Sequence, residues 1–164
     1  LTLGDAGAAM IMGPKLSPDS GFMGFMLQSQ GQHSELCTCG ARGSESALET
    51  DMAKIIQEGI GMLRAMYPHF LQKLGWSPFD IDRFIHHQVG TKVFKHHANY
   101  AHVNLAIMPN TVTELGNLVT ANIPVCLYKS SQNGELKKGN KIFIAGAGSG
   151  LAVSQAGLVW DIAA

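Results

Sequence analysis

Charge is scarce in this sequence, and neither sign prevails. Charged residues make up 15% of the chain, and 12 Lys and Arg offset 12 Asp and Glu. A neutral balance gives no electrostatic attraction for nucleic acid or for an anionic membrane surface, so neither is expected as a partner. Long apolar runs are missing too: none reaches the ~18 residues a helix needs to cross a bilayer. A basic start followed by an apolar centre, the mark of a secretory signal, is likewise missing. There are only 3 cysteines, an odd number, which argues against a disulfide framework. A reducing, cytoplasmic setting is therefore expected.

Glycine, by contrast, is plentiful. The 164 residues include 19 glycines and are 46% hydrophobic. That length suits one domain with a sizeable core. Low charge with many glycines points to a buried sheet and tight turns rather than a solvated helical bundle. The chain opens on Leu1-Thr2-Leu3-Gly4, without an initiator Met, and leads directly into a strand-like run. It is expected to be a piece of something longer.

Ala6 to Met12 is small and apolar throughout and reads as a strand buried on both faces, ended by Gly13-Pro14. Phe22 to Gln30 reads as a second strand. Gly31 to Gly43 reads as a polar loop holding His33, Cys37 and Cys39. From Ser46 to Leu74 the apolar residues fall three or four apart, which predicts a long amphipathic helix. Ser44 or Ser46 is placed to cap it, with Glu49 completing a capping box. Pro68 is expected to kink or split that helix, and Gly75 suits a left-handed exit. Ser77-Pro78-Phe79-Asp80 opens a one-turn helix. Ile81 to Ile85 follows as a strand, Gln88 to about Val103 as a helix, and Leu105 to Met108 as a short connecting strand. Leu118 to about Ser130 reads as a helix strained by Pro124. Lys141 to Ala145 and Leu151 to Trp160 read as an antiparallel pair of strands joined at Gly146 to Gly150. Strands alternating with helices imply an α/β fold with a mainly parallel sheet.

The chemistry gathers at Phe84-Ile85-His86-His87-Gln88, where a strand stops and two imidazoles follow. In open α/β sheets, ligands bind beyond the carboxyl ends of strands. A histidine there can donate or accept a proton near neutral pH. Further on, Leu115-Gly116-Asn117 starts another helical segment. One histidine and one asparagine delivered from two such turns suit a carbonyl oxygen that becomes negative during reaction.

Other motifs have weaker claims. Gly146-Ala147-Gly148-Ser149-Gly150 follows a strand, but too little chain remains for the rest of a dinucleotide-binding unit. It is either a plain hairpin or a turn offering a backbone N–H to a substrate oxygen. His86, His87, His96, His97 and His102 include no i, i+4 pair, so no metal is expected; His96, His97 and His102 read as surface or core residues. Cys37-Thr38-Cys39 is neither a redox pair nor half of a zinc site, and Cys126 reads as core. No cysteine has the setting of a nucleophile. Lys92 and Lys95, one turn apart, are either solvated charge or a docking point for an acidic carrier or a phosphate-bearing cofactor.

Together these motifs resemble the C-terminal half of β-ketoacyl-acyl-carrier-protein synthase III and its relatives in the thiolase superfamily. Gly4-Asp5-Ala6-Gly7-Ala8-Ala9 is similar to the family's glycine-rich opening of this half. Ile81-Asp82-Arg83-Phe84-Ile85-His86-His87-Gln88 is similar to its histidine motif, with His87 in the catalytic place. Leu115-Gly116-Asn117 followed by Ala121-Asn122-Ile123-Pro124 is similar to its asparagine motif. Gly134-Glu135-Leu136-Lys137-Lys138-Gly139 and the glycine turn complete the match.

The resemblance implies that residues 1–164 are a thiolase-like C-terminal domain, with a mixed, mostly parallel five-stranded sheet and helices on its faces. It implies an acyltransferase of fatty acid biosynthesis that performs a decarboxylative Claisen condensation; the alternatives are condensation of two acyl-CoAs without decarboxylation, acyl transfer to another nucleophile, or a binding module that has lost the chemistry. The substrates would be acyl-CoA and a malonyl thioester, with no bound cofactor, and coenzyme A or acyl carrier protein would bear the thioesters. The nucleophilic cysteine belongs to an N-terminal half not found in this sequence, so the piece alone is expected to be inactive. The full-length protein is expected to be a homodimer. By the same resemblance, His87 and Asn117 hold the extender thioester's carbonyl, the Ser149 N–H beside Gly148 serves the second oxyanion, and Lys92 helps bind the carrier or coenzyme A. The family's His-Gln-Ala-Asn reads His87-Gln88-Val89-Gly90 here, and Gly-Asn-Thr reads Gly116-Asn117-Leu118. Gly148-Ser149-Gly150 and Trp160 look more like relatives that join two acyl thioesters without an extender acid.

Overall fold

In a computed structural model of the chain, residues 3–15, 17–42 and 45–161 are described. In order these form β1 (Gly21–Ser29), β2 (Cys37–Arg42), β3 (Glu45–Thr50), α1 (Met52–Leu74), β4 (Arg83–His86), α2 (Lys92–Ala101), α3 (Val112–Leu115), α4 (Asn122–Gln132), β5 (Lys141–Gly148) and β6 (Ala152–Val159). One sheet runs β1-β6-β5-β4, and β2 with β3 makes a separate two-stranded sheet. In the larger sheet β1/β6 and β5/β6 are antiparallel, while β4/β5 is parallel.

The main sheet thus has four strands and is mostly antiparallel, which corrects the expected five-stranded, mostly parallel one. Two expected strands do not join it. Ala6–Met12 pairs with nothing among the described residues, and Ile11 is fully exposed at 101%. An apolar strand needs a neighbouring ladder to satisfy its backbone, whatever its composition. Leu105–Ile107 is a 3-10 turn instead of a strand, because the Asn104 carboxamide accepts the Ala106 N–H at 2.8 Å and bends the backbone there. Leu1 and Thr2, ahead of these segments, lie outside the described residues.

The long helix begins later than its periodicity predicts. Residues 45–50 form β3, held against β2 with Cys37 opposite Thr50 and Cys39 opposite Leu48. The supposed polar loop therefore contains a 3-10 turn (Gly31–Leu36) and β2. Asp51 is the true cap, its carboxylate accepting the Lys54 N–H at 3.0 Å; Ser44, the alternative cap, lies outside the described residues. Pro68 does not split α1, which is continuous from Met52 to Leu74. Met66, Tyr67, Phe70 and Leu71 are buried on both sides of it, and that packing outweighs the lost hydrogen bond. Gly75 ends the helix at φ 66°, its N–H on the Gln72 and Leu71 carbonyls. Pro124 falls in the first turn of α4, where its missing N–H has no helical partner to lose.

Alternation along β4 and β5 sorts the core onto two faces. Phe84 and Phe143 stack at 5.1 Å and 21° on the side of α1, where Tyr67 meets Phe143 edge-on at 5.1 Å. Ile85, Ile142 and Ile144 face Cys126 and Leu127 of α4. Burying such side chains is worth ~1.5–3 kcal/mol each. The α1 helix lies close on the sheet: a Cβ built on Gly157 would come 2.6 Å from Leu74 Cδ1. Because β4 and β5 are parallel, their C-terminal ends share one edge of the sheet. The His87 N–H, on the Ala145 carbonyl at 2.9 Å, carries the ladder one residue past β4 to that edge.

Candidate active site

His87 leaves β4 half-buried, and the next residue anchors it. Gln88 is fully buried, and its side chain is used from both ends. Its Oε1 accepts the Thr111 N–H at 2.9 Å, the Thr111 hydroxyl at 3.1 Å and the Val112 N–H at 3.0 Å, while Nε2 donates to the Pro109 carbonyl at 2.8 Å. The Gln88 backbone is clasped by Asn122: N–H to Oδ1 and C=O from Nδ2, both at 3.2 Å. This network holds the histidine turn against the loop before α3 and the start of α4. It is also why α2 starts at Lys92 and not at Gln88.

Asn117 sits in the loop between α3 and α4. Its carbonyl accepts the Gly4 N–H at 3.0 Å, and Leu3 bridges to it in parallel. Only glycine permits that approach, since a Cβ on Gly4 would lie 1.8 Å from the Leu115 carbonyl oxygen. The Asn117 Oδ1 accepts the Val119 N–H at 2.9 Å, so the Nδ2 donor is left for another oxygen. Val119 meets His87 as well. The nearby Val119 backbone favours the protonated His87 ring. Burial is the stronger influence and holds the His87 pKa below the usual histidine value. Val119, at φ 53°, thus lies beside both the imidazole and the carboxamide and bonds the latter.

His87, Asn117, Gly148 and Ser149 all line one cavity of about 520 Å³. Ser149 follows β5 directly, so the parallel β4/β5 pair delivers it to the same edge as His87. Lys92 is exposed at the start of α2 and is not among the cavity's residues. Cys126 is fully buried against α4's own core, and burial pushes its thiol up to about 12, so it remains a thiol near neutral pH. Among the described residues no group of three or more His, Cys, Asp or Glu is placed to hold a metal ion. No helix among them is long and apolar enough to cross a membrane.

The structure brings the sequence candidates His87 and Asn117 to one cavity, on supports the sequence does not reveal. Gln88 was read only as part of a motif, Val119 carries no sign of its backbone conformation, and Asn122 looks like an ordinary helix residue. His97, read as surface or core, also lines the cavity.

An imidazole and a carboxamide at the edge of this mixed sheet, with the closing β5–β6 hairpin beside them, define the C-terminal half of a thiolase-like enzyme. The 3-oxoacyl-[acyl-carrier-protein] synthase III of Aquifex aeolicus VF5 has the same fold, with a TM-score of 0.81 at 18% identity over 89% of this chain and 46% of that one. The chain belongs to the family of 3-oxoacyl-[acyl-carrier-protein (ACP)] synthase III C-terminal domains, whose model matches residues 71–160. The acyl-CoA:acyl-CoA alkyltransferase of Xanthomonas campestris pv. campestris is 33% identical over 162 residues, covering 98% of this chain and 47% of the relative. Beta-ketoacyl-[acyl-carrier-protein] synthase III 5 of Streptomyces coelicolor is 24% identical, covering 97% and 52%. The chain spans about half the length of these curated relatives.

Proposed function

We propose that residues 1–164 are the C-terminal half of a condensing enzyme that joins two acyl thioesters by Claisen chemistry, in the manner of a 3-oxoacyl-[acyl-carrier-protein] synthase III. The observation that carries this reading is the convergence of His87, Asn117 and Ser149 on one cavity. An acyl group is held as a thioester on a cysteine of the N-terminal half, its first thiol having left. Loss of CO2 from a malonyl thioester leaves an enolate, whose oxygen takes hydrogen bonds from Asn117 Nδ2 and the His87 ring. The enolate carbon bonds to the acyl carbonyl carbon while the oxygen there is held by the Ser149 N–H. The C–S bond then breaks, the cysteine leaves as thiolate, and a 3-oxoacyl thioester is released. The working protein would be a cytoplasmic homodimer of fatty acid biosynthesis, its thioesters borne by coenzyme A or acyl carrier protein and Lys92 helping to seat them.

A second reading has its own support. Burial favours the neutral His87 ring, and a neutral imidazole keeps one nitrogen with a lone pair. That suits removal of an α-proton from an acyl-CoA without loss of CO2. The relative at 33% identity is named an acyl-CoA:acyl-CoA alkyltransferase.

The test uses the full-length protein with labelled acyl-CoA and malonyl thioester. His87→Ala and Asn117→Ala are each expected to lower turnover ~10²–10³-fold, the usual loss on removing one oxyanion donor. Release of labelled CO2 with product separates the first reading from the second. Full turnover in both variants would overturn the assignment.

A further inference from the structure

We propose that His97 is a specificity-determining residue of this cavity, its imidazole taking a hydrogen bond with an oxygen on the acyl chain, so that the preferred acyl group carries a hydroxyl or oxo substituent. This rests on the condensing-enzyme reading and goes beyond it to the class of substrate. The polar groups His87, Asn117 and Ser149 have reacting oxygens to serve. Elsewhere the wall is largely aliphatic, built from residues such as Ile56, Ile60, Leu63 and Val93. His97 stands one turn beyond Val93 on α2 and lines the same space, although it is only 4% exposed.

The ring is held from several sides. Its Nδ1 is taken by the Tyr100 hydroxyl at 2.9 Å. It stacks on the His86 ring at 4.3 Å and 29°, with Phe84 at 5.5 Å. His86 is fixed in turn: its Nδ1 lies 2.9 Å from the His87 carbonyl, which can only accept, so His86 donates there. Tyr100 occupies one nitrogen of His97 and leaves Nε2 for whatever fills the cavity. Burial disfavours charge on His97, which therefore serves as a neutral, oriented polar group. A hydrocarbon chain would leave that nitrogen without a partner, whereas an oxygenated chain would satisfy it. Sites built to bond a hydroxyl discriminate strongly against the analogue lacking it.

The experiment compares acyl-CoA substrates of one chain length with the full-length protein. One is unsubstituted, and the others carry a single hydroxyl or oxo group at successive carbons. The expected result is a preference of about tenfold or more in kcat/KM for one oxygenated isomer. His97→Phe keeps an aromatic ring against His86 and should erase that preference, while His97→Gln, which retains a polar group, should keep part of it. Equal use of all chains by the unaltered protein, or the same ratio in His97→Phe, would overturn the proposal. Binding of each acyl-CoA by calorimetry separates the two readings. The same preference in Kd without any condensation upholds the role of His97 and overturns the condensing reading alone.

Discussion

Val119 holds a backbone that its own side chain disfavours. A β-branched residue at φ 53° pays about 1–2 kcal/mol relative to a right-handed one. Its N–H bonds the Asn117 carboxamide and its backbone lies beside His87, so the strain is offset only in the geometry of the site. Val119→Gly should therefore stabilise the fold by roughly 1 kcal/mol in urea denaturation and still slow condensation, because the Asn117 carboxamide loses its fixed support. Opposite signs in the two measurements distinguish this role from ordinary packing. Nothing in Leu118-Val119-Thr120 signals a left-handed residue, and a single such position leaves no trace in periodicity. Asn117 and His87 were legible for the reverse reason: their residue types suit the chemistry whatever the backbone does.

Elements meet the site through Gln88. Fully buried, its side chain makes four hydrogen bonds to residues 109–112 and a fifth, at 3.7 Å, to the Cys126 sulfur of α4. Gln88→Ala would leave two backbone N–H groups and one carbonyl buried without partners, each costing ~1–3 kcal/mol. An overall loss of at least ~3 kcal/mol is expected in denaturant titration. Gln88→Glu should also destabilise, because a carboxylate oxygen would then face the Pro109 carbonyl. Local chemistry read other elements correctly. The expected one-turn helix at Ser77-Pro78-Phe79-Asp80 forms, with the Ser77 N–H and hydroxyl both 2.7 Å from the Asp80 carboxylate. The β5–β6 hairpin is antiparallel as its short glycine turn requires. The error at residues 45–50 has a physical cause. Leu48 fits the helical period of α1, but β2 offers a ladder partner, and that partner lies beyond any local window.

At the scale of the whole molecule, the histidine cluster behind the site links folding to pH. Burial pulls His86 down to about 4, and His97 is also lowered by burial and by the neighbouring His86, His96 and His87. An unfolded histidine titrates near ~6.5. Below that pH the unfolded chain binds protons that the folded chain refuses. Stability from this source is complete above about pH 6.5, and it is lost as the pH falls toward 4. His86 alone accounts for roughly 3 kcal/mol at the lower end of that window. Urea titrations at intervals from pH 7 to 4 should show the decline, and His86→Phe should flatten it. An unchanged slope in the variant would assign the effect to other groups.

The order of most elements, the glycine exit of α1 and the candidacy of His87 and Asn117 were set by the sequence alone, because each depends on residue type or on neighbours within a few positions. Tertiary structure decided the number and direction of the strands, the origin of α1 and the fate of Ala6–Met12. It also chose which of the histidines face the cavity. These depend on pairing and packing between residues far apart in the chain, where a ladder partner or a covering helix outweighs the local preference of either segment.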